Sequence, residues 1–142
     1  MTIPLSLLVA HFIGDFVLQS DWMALNKSKS WWALYVHAVI YTLTVLPVLA
    51  FYGADPYYAV GLTFITHFAT DAITSRITSR LWFFQRAELL DPTLAGLQVA
   101  RKDYDLYVPV GGSRHWFFVM IGLDQLIHFG TLAWTLKLLS VL

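Results

Sequence analysis

The residues best suited to chemistry in this chain are three aspartates and four histidines set in apolar sequence: Asp15, Asp71 and Asp124, with His11, His37, His67 and His128. Each aspartate has a histidine four positions away, as His11/Asp15, His67/Asp71 and Asp124/His128. On a helix an i, i+4 pair shares one face, so each pair can aim both side chains at a common centre. Imidazole nitrogen and carboxylate oxygen are ligands that Zn²⁺ accepts, and a catalytic site keeps one position open for water. Two such ions about 3.5 to 4 Å apart can clamp a phosphoryl group. With no cysteine in the chain, a metal site must use His and carboxylate, and disulfides and a thiol nucleophile are excluded. The competing explanation is structural: Asp–His hydrogen bonds between helices, each worth about 1 kcal/mol, or a proton relay. One pair would favour that explanation, whereas three pairs plus His37 favour the metal.

The elements that must position these groups are membrane spans. Of the 142 residues 58% are hydrophobic and only 13% charged, well outside a soluble composition. A bilayer core about 30 Å thick takes about 20 apolar residues in helix. Four stretches fit: Ile3–Gln19, Ala33–Gly53, Tyr57–Ser75 and Phe117–Leu136. The first has neither a basic leader nor a small-residue cleavage site, and reads as a mature span. The fold expected is therefore all-α, a four-span transmembrane bundle forming one integral-membrane domain over residues 1–142.

Charge sets the orientation. Lys27 and Lys29 follow the first span; Arg76, Arg80, Arg86, Arg101, Lys102 and Arg114 lie in loop 76–116; the connection between the second and third spans has no basic residue. The positive-inside rule makes these two basic loops cytoplasmic and both termini non-cytoplasmic, in the inner (cell) membrane. Lys137, the exception, can snorkel to the interface. Trp31, Trp32, Tyr57, Tyr58 and Trp116 mark the belts. Gly53, Asp55 and Pro56 predict a tight outer hairpin. In the third loop Ile77, Leu81, Phe84 and Leu89 recur near helical spacing beside Arg76, Arg80 and Arg86, predicting a short amphipathic helix that Pro92 closes. Nine basic residues balance nine acidic ones, which excludes nucleic-acid binding by bulk charge; the partners expected are membrane lipid and further copies of the chain.

Rising 1.5 Å per residue, the seven ionisable groups fall between about 6 and 18 Å from the cytoplasmic ends, within one slab of the inner leaflet. His11-Phe12-Ile13-Gly14-Asp15 is echoed by His67-Phe68-Ala69-Thr70-Asp71 in a helix running the same way, each followed by a span with one histidine, His37 or His128. Two helical hairpins related as a parallel repeat would produce that pattern, with two His and one Asp per half, as in dinuclear carboxylate bundles. The metal ligands expected are His11, Asp15, His37, His67, Asp71 and His128, with Asp124 as the catalytic proton acceptor. Lys27, Arg114 and His115 flank the mouth and can hold a phosphate, although ordinary positive-inside charge and lipid-headgroup contact is the favoured explanation for any one of them. Gln19 and Gln125 are candidates for orienting the ligands or for bridging helices. Gly111-Gly112-Ser113 reads as a helix-start turn. No Gly-x-Ser-x-Gly elbow, Walker loop or dinucleotide fingerprint occurs.

Two segments resemble known families. His11-Phe12-Ile13-Gly14-Asp15 resembles the His-Tyr/Phe-x-Gly-Asp helix of the zinc-dependent phospholipase C and single-strand nuclease superfamily, which implies zinc ligation by His11 and Asp15. Thr66-His67-Phe68-Ala69-Thr70-Asp71-Ala72-Ile73-Thr74 resembles a segment of small bacterial membrane-bound metal-dependent hydrolases, implying the same for His67 and Asp71. From His11-x-x-x-Asp15-Phe16-x-x-Gln19 through Asp124-Gln125-x-x-His128-Phe129 the chain looks like a phage and bacterial membrane family known only as domain of unknown function 3307.

The function expected is hydrolysis of a lipid-like or nucleotide-like phosphoester at the cytoplasmic leaflet, with Zn²⁺, Mn²⁺ or Fe²⁺ as cofactor. The alternatives are a proton or divalent-metal carrier or channel using the same groups, and a small membrane scaffold. The outer halves of spans two and three offer only Thr42, Thr44 and Thr63, which disfavours a through-pathway. The topology has a direct test, because the chain has no cysteine: Thr2→Cys and Leu142→Cys should each react with an impermeant maleimide from the non-cytoplasmic side. Labelling of both only from the cytoplasm would reverse the orientation.

Overall fold

The computed structural model describes residues 3–87 and 115–139, with side chains except over 81–87. Among the described residues every regular element is helical. Helix α1 (Leu5–Phe12) runs straight into a π-turn (Ile13–Val17) and is followed by the short α2 (Asp21–Asn26). Three long helices complete the order: α3 (Trp31–Phe51), α4 (Pro56–Ala87) and α5 (His115–Leu139). Helix α3 packs against α1 and α4, and α4 against α5.

Local chemistry explains the boundaries. Ser20 and Ser30 are N-caps whose hydroxyls accept from the Met23 and Ala33 amides, each at 3.4 Å. Helix α3 ends in a Schellman turn, with Ala54 N–H donating to Leu49 C=O at 3.1 Å and Gly53 N–H to Ala50 C=O at 2.9 Å. Gly53 takes φ +82° there, a conformation that costs glycine little. Asp55 Oδ1 then accepts from the amides of Tyr57 and Tyr58 at 3.0 and 3.3 Å, and Pro56 occupies the first helical position. The expected outer hairpin is this turn.

The expected spans differ from the helices in two places. The first is a helical stretch over Leu5–Val17 only, about 20 Å long and short of a full bilayer core. The expected break at Ser75 is missing: α4 continues to Ala87 as one helix of 32 residues, so the predicted amphipathic helix is its extension. Nothing between Arg76 and Ala87 is Gly or Pro, the residues that would have ended it. Leu89, Pro92, Gly111, Gly112, Ser113 and Arg114 lie outside the described residues. By length and composition two helices, Trp31–Phe51 and His115–Leu139, are able to cross a membrane.

An apolar cluster joins Leu7 and Ala10 of α1, Tyr41, Val45 and Leu49 of α3, Ala59 of α4, and Leu132, Leu136 and Leu139 of α5. The outer faces stay apolar as well: Leu5, Leu43, Ile65, Ile73 and Leu126 are each more than 60% exposed. The helices pack tightly at Gly14, where a Cβ would lie 3.1 Å from Tyr41 Cδ2 and 3.3 Å from Tyr41 Cα. Gly14→Val should therefore destabilise the protein by about 1 to 3 kcal/mol through overpacking. Gly122→Ala, with nothing within 4 Å of the added carbon, should be neutral or mildly stabilising. Thermal unfolding in detergent measures both.

Candidate metal centre

The π-turn is where the site begins. Leu18 N–H bonds to Ile13 C=O at 2.9 Å, five residues back, and the wider turn buries Gly14 and Asp15 against α3. Asp15 on this turn, His37 on α3, and His67 and Asp71 on α4 converge, all buried, with one ligand atom from each within 4.8 Å of the others. His37 Nε2 lies 3.1 Å from Asp15 Oδ1, 3.2 Å from Asp71 Oδ2 and 3.1 Å from His67 Nε2. His67 Nε2 is 3.8 Å from the same two carboxylate oxygens.

Those distances can be compared with a coordination shell. Zn²⁺ bonded to N and O at about 2.0 to 2.1 Å in a tetrahedron holds its ligand atoms about 3.3 to 3.4 Å apart. The five separations above, 3.1 to 3.8 Å, bracket that edge length, and the two-nitrogen, two-oxygen donor set suits the ion. Hydrogen bonding explains the same atoms less completely. Two facing Nε2 atoms can share only one proton; the Nδ1 atoms of His37 and His67 are buried without a hydrogen-bond partner in either case.

The other residues surround this group. His128 Nε2 is 3.1 Å from Asp71 Oδ1 and 3.5 Å from Asp124 Oδ1. Asp15, Asp124 and His128 also bring ligand atoms within 4.8 Å of one another. Gln125 ties the sides together: its Nε2 donates to Asp15 Oδ2 at 3.1 Å and Asp124 Oδ2 at 3.2 Å, and its Oε1 accepts from His11 Nε2 at 2.9 Å. A neutral His11 then accepts at Nδ1 from the Tyr41 hydroxyl, 3.0 Å away. Both His11 nitrogens are thus used, and His11 stands outside the four-ligand group, 3.8 Å from Asp15 Oδ2.

Lys27, at the end of α2, reaches in from the rim. Its ammonium donates to Asp71 Oδ2 at 2.9 Å and lies 4.0 Å from Asp15 Oδ1. Burial works against the charge, but the carboxylates of Asp71 and Asp15 outweigh it and raise the Lys27 pKa above the usual lysine range.

Residues 3–141 match a family described as a protein of unknown function, DUF3307. The chain belongs to that family. No curated protein and no solved structure matches it. In this DUF3307 protein the structure brings together His11, Asp15, Lys27, His37, His67, Asp71, Asp124, Gln125 and His128. Gln19 is not joined to them by any hydrogen bond, its buried Oε1 having no partner. His115 is exposed at the start of α5, beside Trp116 and about 13 Å along the helix from Asp124. Arg114 lies outside the described residues.

One member escaped the sequence reading, and another has a partner the sequence did not show. Tyr41 stacks on the His67 ring at 3.5 Å and 9° while bonding His11; its signal was the position four residues after His37, on the same face of α3. Lys27 was expected at the mouth as a phosphate contact and instead pairs directly with the two aspartates. Lys27→Met should accordingly lower the stability of the metal-free protein by about 3 kcal/mol, since removing one partner strands buried charge. Saturating Zn²⁺ should shrink the deficit by restoring positive charge. Melting curves in chelator and in Zn²⁺ compare the two states.

Proposed function

We propose that this DUF3307 protein is a four-span inner-membrane protein whose buried His/Asp group holds a divalent cation, Zn²⁺ first and Mn²⁺ or Fe²⁺ next, and that it hydrolyses a phosphoester of a lipid-like or nucleotide-like molecule at the cytoplasmic leaflet. The observation that carries the metal is the quartet Asp15, His37, His67 and Asp71, with both Nε2 atoms turned to the same two carboxylate oxygens. Apolar outer faces and two helices of spanning length support the membrane setting. Exposed apolar area also leaves room for self-association.

Such an ion supplies a water deprotonated near neutral pH and positive charge for the phosphoryl oxygens. The chain does the rest. In hydrolysis a P–O bond forms to the water oxygen, the P–O bond to the alcohol breaks, and the alcohol leaves with a proton. Asp124, outside the quartet and 17% exposed in its side chain, takes the proton from water and returns it to the leaving oxygen. Lys27, and the Arg114 and His115 expected from the sequence at the mouth, would favour an anionic ester. The resemblance of the two His-x-x-x-Asp helices to zinc phosphoesterases favours this reaction class, with ligation carried here by Asp15, His67 and Asp71, and with His11 holding Gln125.

Purified protein should contain near-stoichiometric metal, and chelation should lower its melting temperature. Asp15→Asn and Asp71→Asn keep side-chain size and should abolish metal-dependent phosphate or headgroup release from a panel of phospholipids, polyprenyl phosphates and nucleotides. Arg114→Ala should raise KM more than it lowers kcat. Absence of cleavage, together with metal or proton flux into vesicles that Asp71→Asn abolishes, would replace the hydrolase with a carrier.

A further inference from the structure

The two buried aspartates each turn their two oxygens to different sides. Asp15 Oδ1 faces His37 and His67, whereas its Oδ2 faces Gln125 and His11. Asp71 Oδ2 faces His37, His67 and Lys27, whereas its Oδ1 faces His128. A carboxylate needed for one ion uses one oxygen, or both toward the same point. Asp71 divides its oxygens between opposite imidazoles, and Asp15 turns one oxygen to His37 and His67 while also bringing a ligand atom within 4.8 Å of His128 and Asp124, the arrangement of bridges.

We infer that Asp15 and Asp71 bridge two cations, and that a second ion sits against His128 Nε2, Asp71 Oδ1 and Asp15 Oδ2, on the side away from His37 and His67. This inference rests on the proposed metal site and adds its nuclearity. His128 is 1% exposed and its Nε2 is 3.1 Å from Asp71 Oδ1, within the range of the quartet's own separations. Asp124 stands beside the open fourth side: its Oδ1, 3.5 Å from His128 Nε2, is buried and has no hydrogen-bond partner. Asp15 Oδ2 accepts from Gln125, and a carboxylate oxygen retains a second lone pair for an ion. Asp124 stays beside the second ion rather than between the two, so its place as proton acceptor is kept. Three protein ligands and an open fourth side are what a catalytic ion requires, beside a first ion enclosed by four. The first ion is then the structural anchor of the pair, and the second is the one that meets the substrate.

Bridged ions lie about 3.5 to 4 Å apart, close enough for two Mn²⁺ to couple magnetically. The full-length protein, stripped and reloaded with Mn²⁺, should hold two ions per chain by elemental analysis and give an exchange-coupled spectrum in electron paramagnetic resonance. His128→Gln should hold one ion and give the uncoupled six-line signal. One ion per wild-type chain at saturating Mn²⁺, with six lines, overturns the second site and leaves the quartet standing. No bound ion overturns both. The wild-type spectrum decides the matter even if the variant fails to fold.

Discussion

Two carboxylates buried away from solvent control this structure. Asp15 is 3% exposed and Asp71 0%, and an ionised carboxylate is not tolerated in an apolar interior unless opposite charge and hydrogen-bond donors meet it. Every long helix contributes to meeting that demand: His37 from α3, His67 from α4, and His128 and Gln125 from α5, with Lys27 from the segment before α3. Burying the aspartates and packing the helices are therefore one event. In the proposed membrane setting apolar association alone would be a poor guide to register, since lipid is as apolar as leucine; the polar centre supplies contacts that fix it.

The spacing that reveals the site is not the spacing that makes its contacts. Within the helices the i, i+4 partners sit 3.8, 3.8 and 3.5 Å apart for His11/Asp15, His67/Asp71 and Asp124/His128. Across helices the tight approaches are 3.1 Å for His37 to Asp15 and for His128 to Asp71. The intrahelical spacing only puts both members on one face. What brings the faces together is close packing at Gly14 against Tyr41, and Tyr41 itself, which fills the space between His11 and His67.

The convergence of Asp15, Asp71, His37, His67 and His128 was legible because ionisable residues in apolar helices stand out, and period and depth both limit where they can point. The all-helical fold followed from the same apolar runs. Other features left no such mark. Lys27 looked like any cytoplasmic lysine, since the positive-inside rule accounts for a basic loop without giving its partners. His11 matched a ligand motif, yet a neighbouring amide and a phenol satisfy both its nitrogens, and such side-chain pairings depend on rotamers that spacing does not set. The π-turn at Ile13–Val17 is invisible to a 3.6-residue period, and the continuation of α4 past Ser75 shows that a change from apolar to basic sequence need not break a helix.

Lys27 also bears on how a cation could occupy the centre. Its ammonium already lies 2.9 Å from Asp71 Oδ2, one of the two oxygens the quartet would offer to an ion. Two cations cannot share that oxygen at contact distance without strong repulsion, because screening is weak where water is scarce. Entry of an ion must therefore push the ammonium outward. Lys27 has room to go: its side chain is 16% exposed, matched closely by Asp124 at 17%, while His37, His67 and Asp71 are at most 1% exposed. Lys27 and Asp124 are, with Gln125, partly exposed members of the group. An ammonium so displaced would no longer neutralise the carboxylates and would be free to meet an anionic group arriving at the proposed metal. In the proposed metal-bound state the same lysine, which pairs with the carboxylates in this structure, would instead present its charge to an anion, the phosphate contact expected from the sequence.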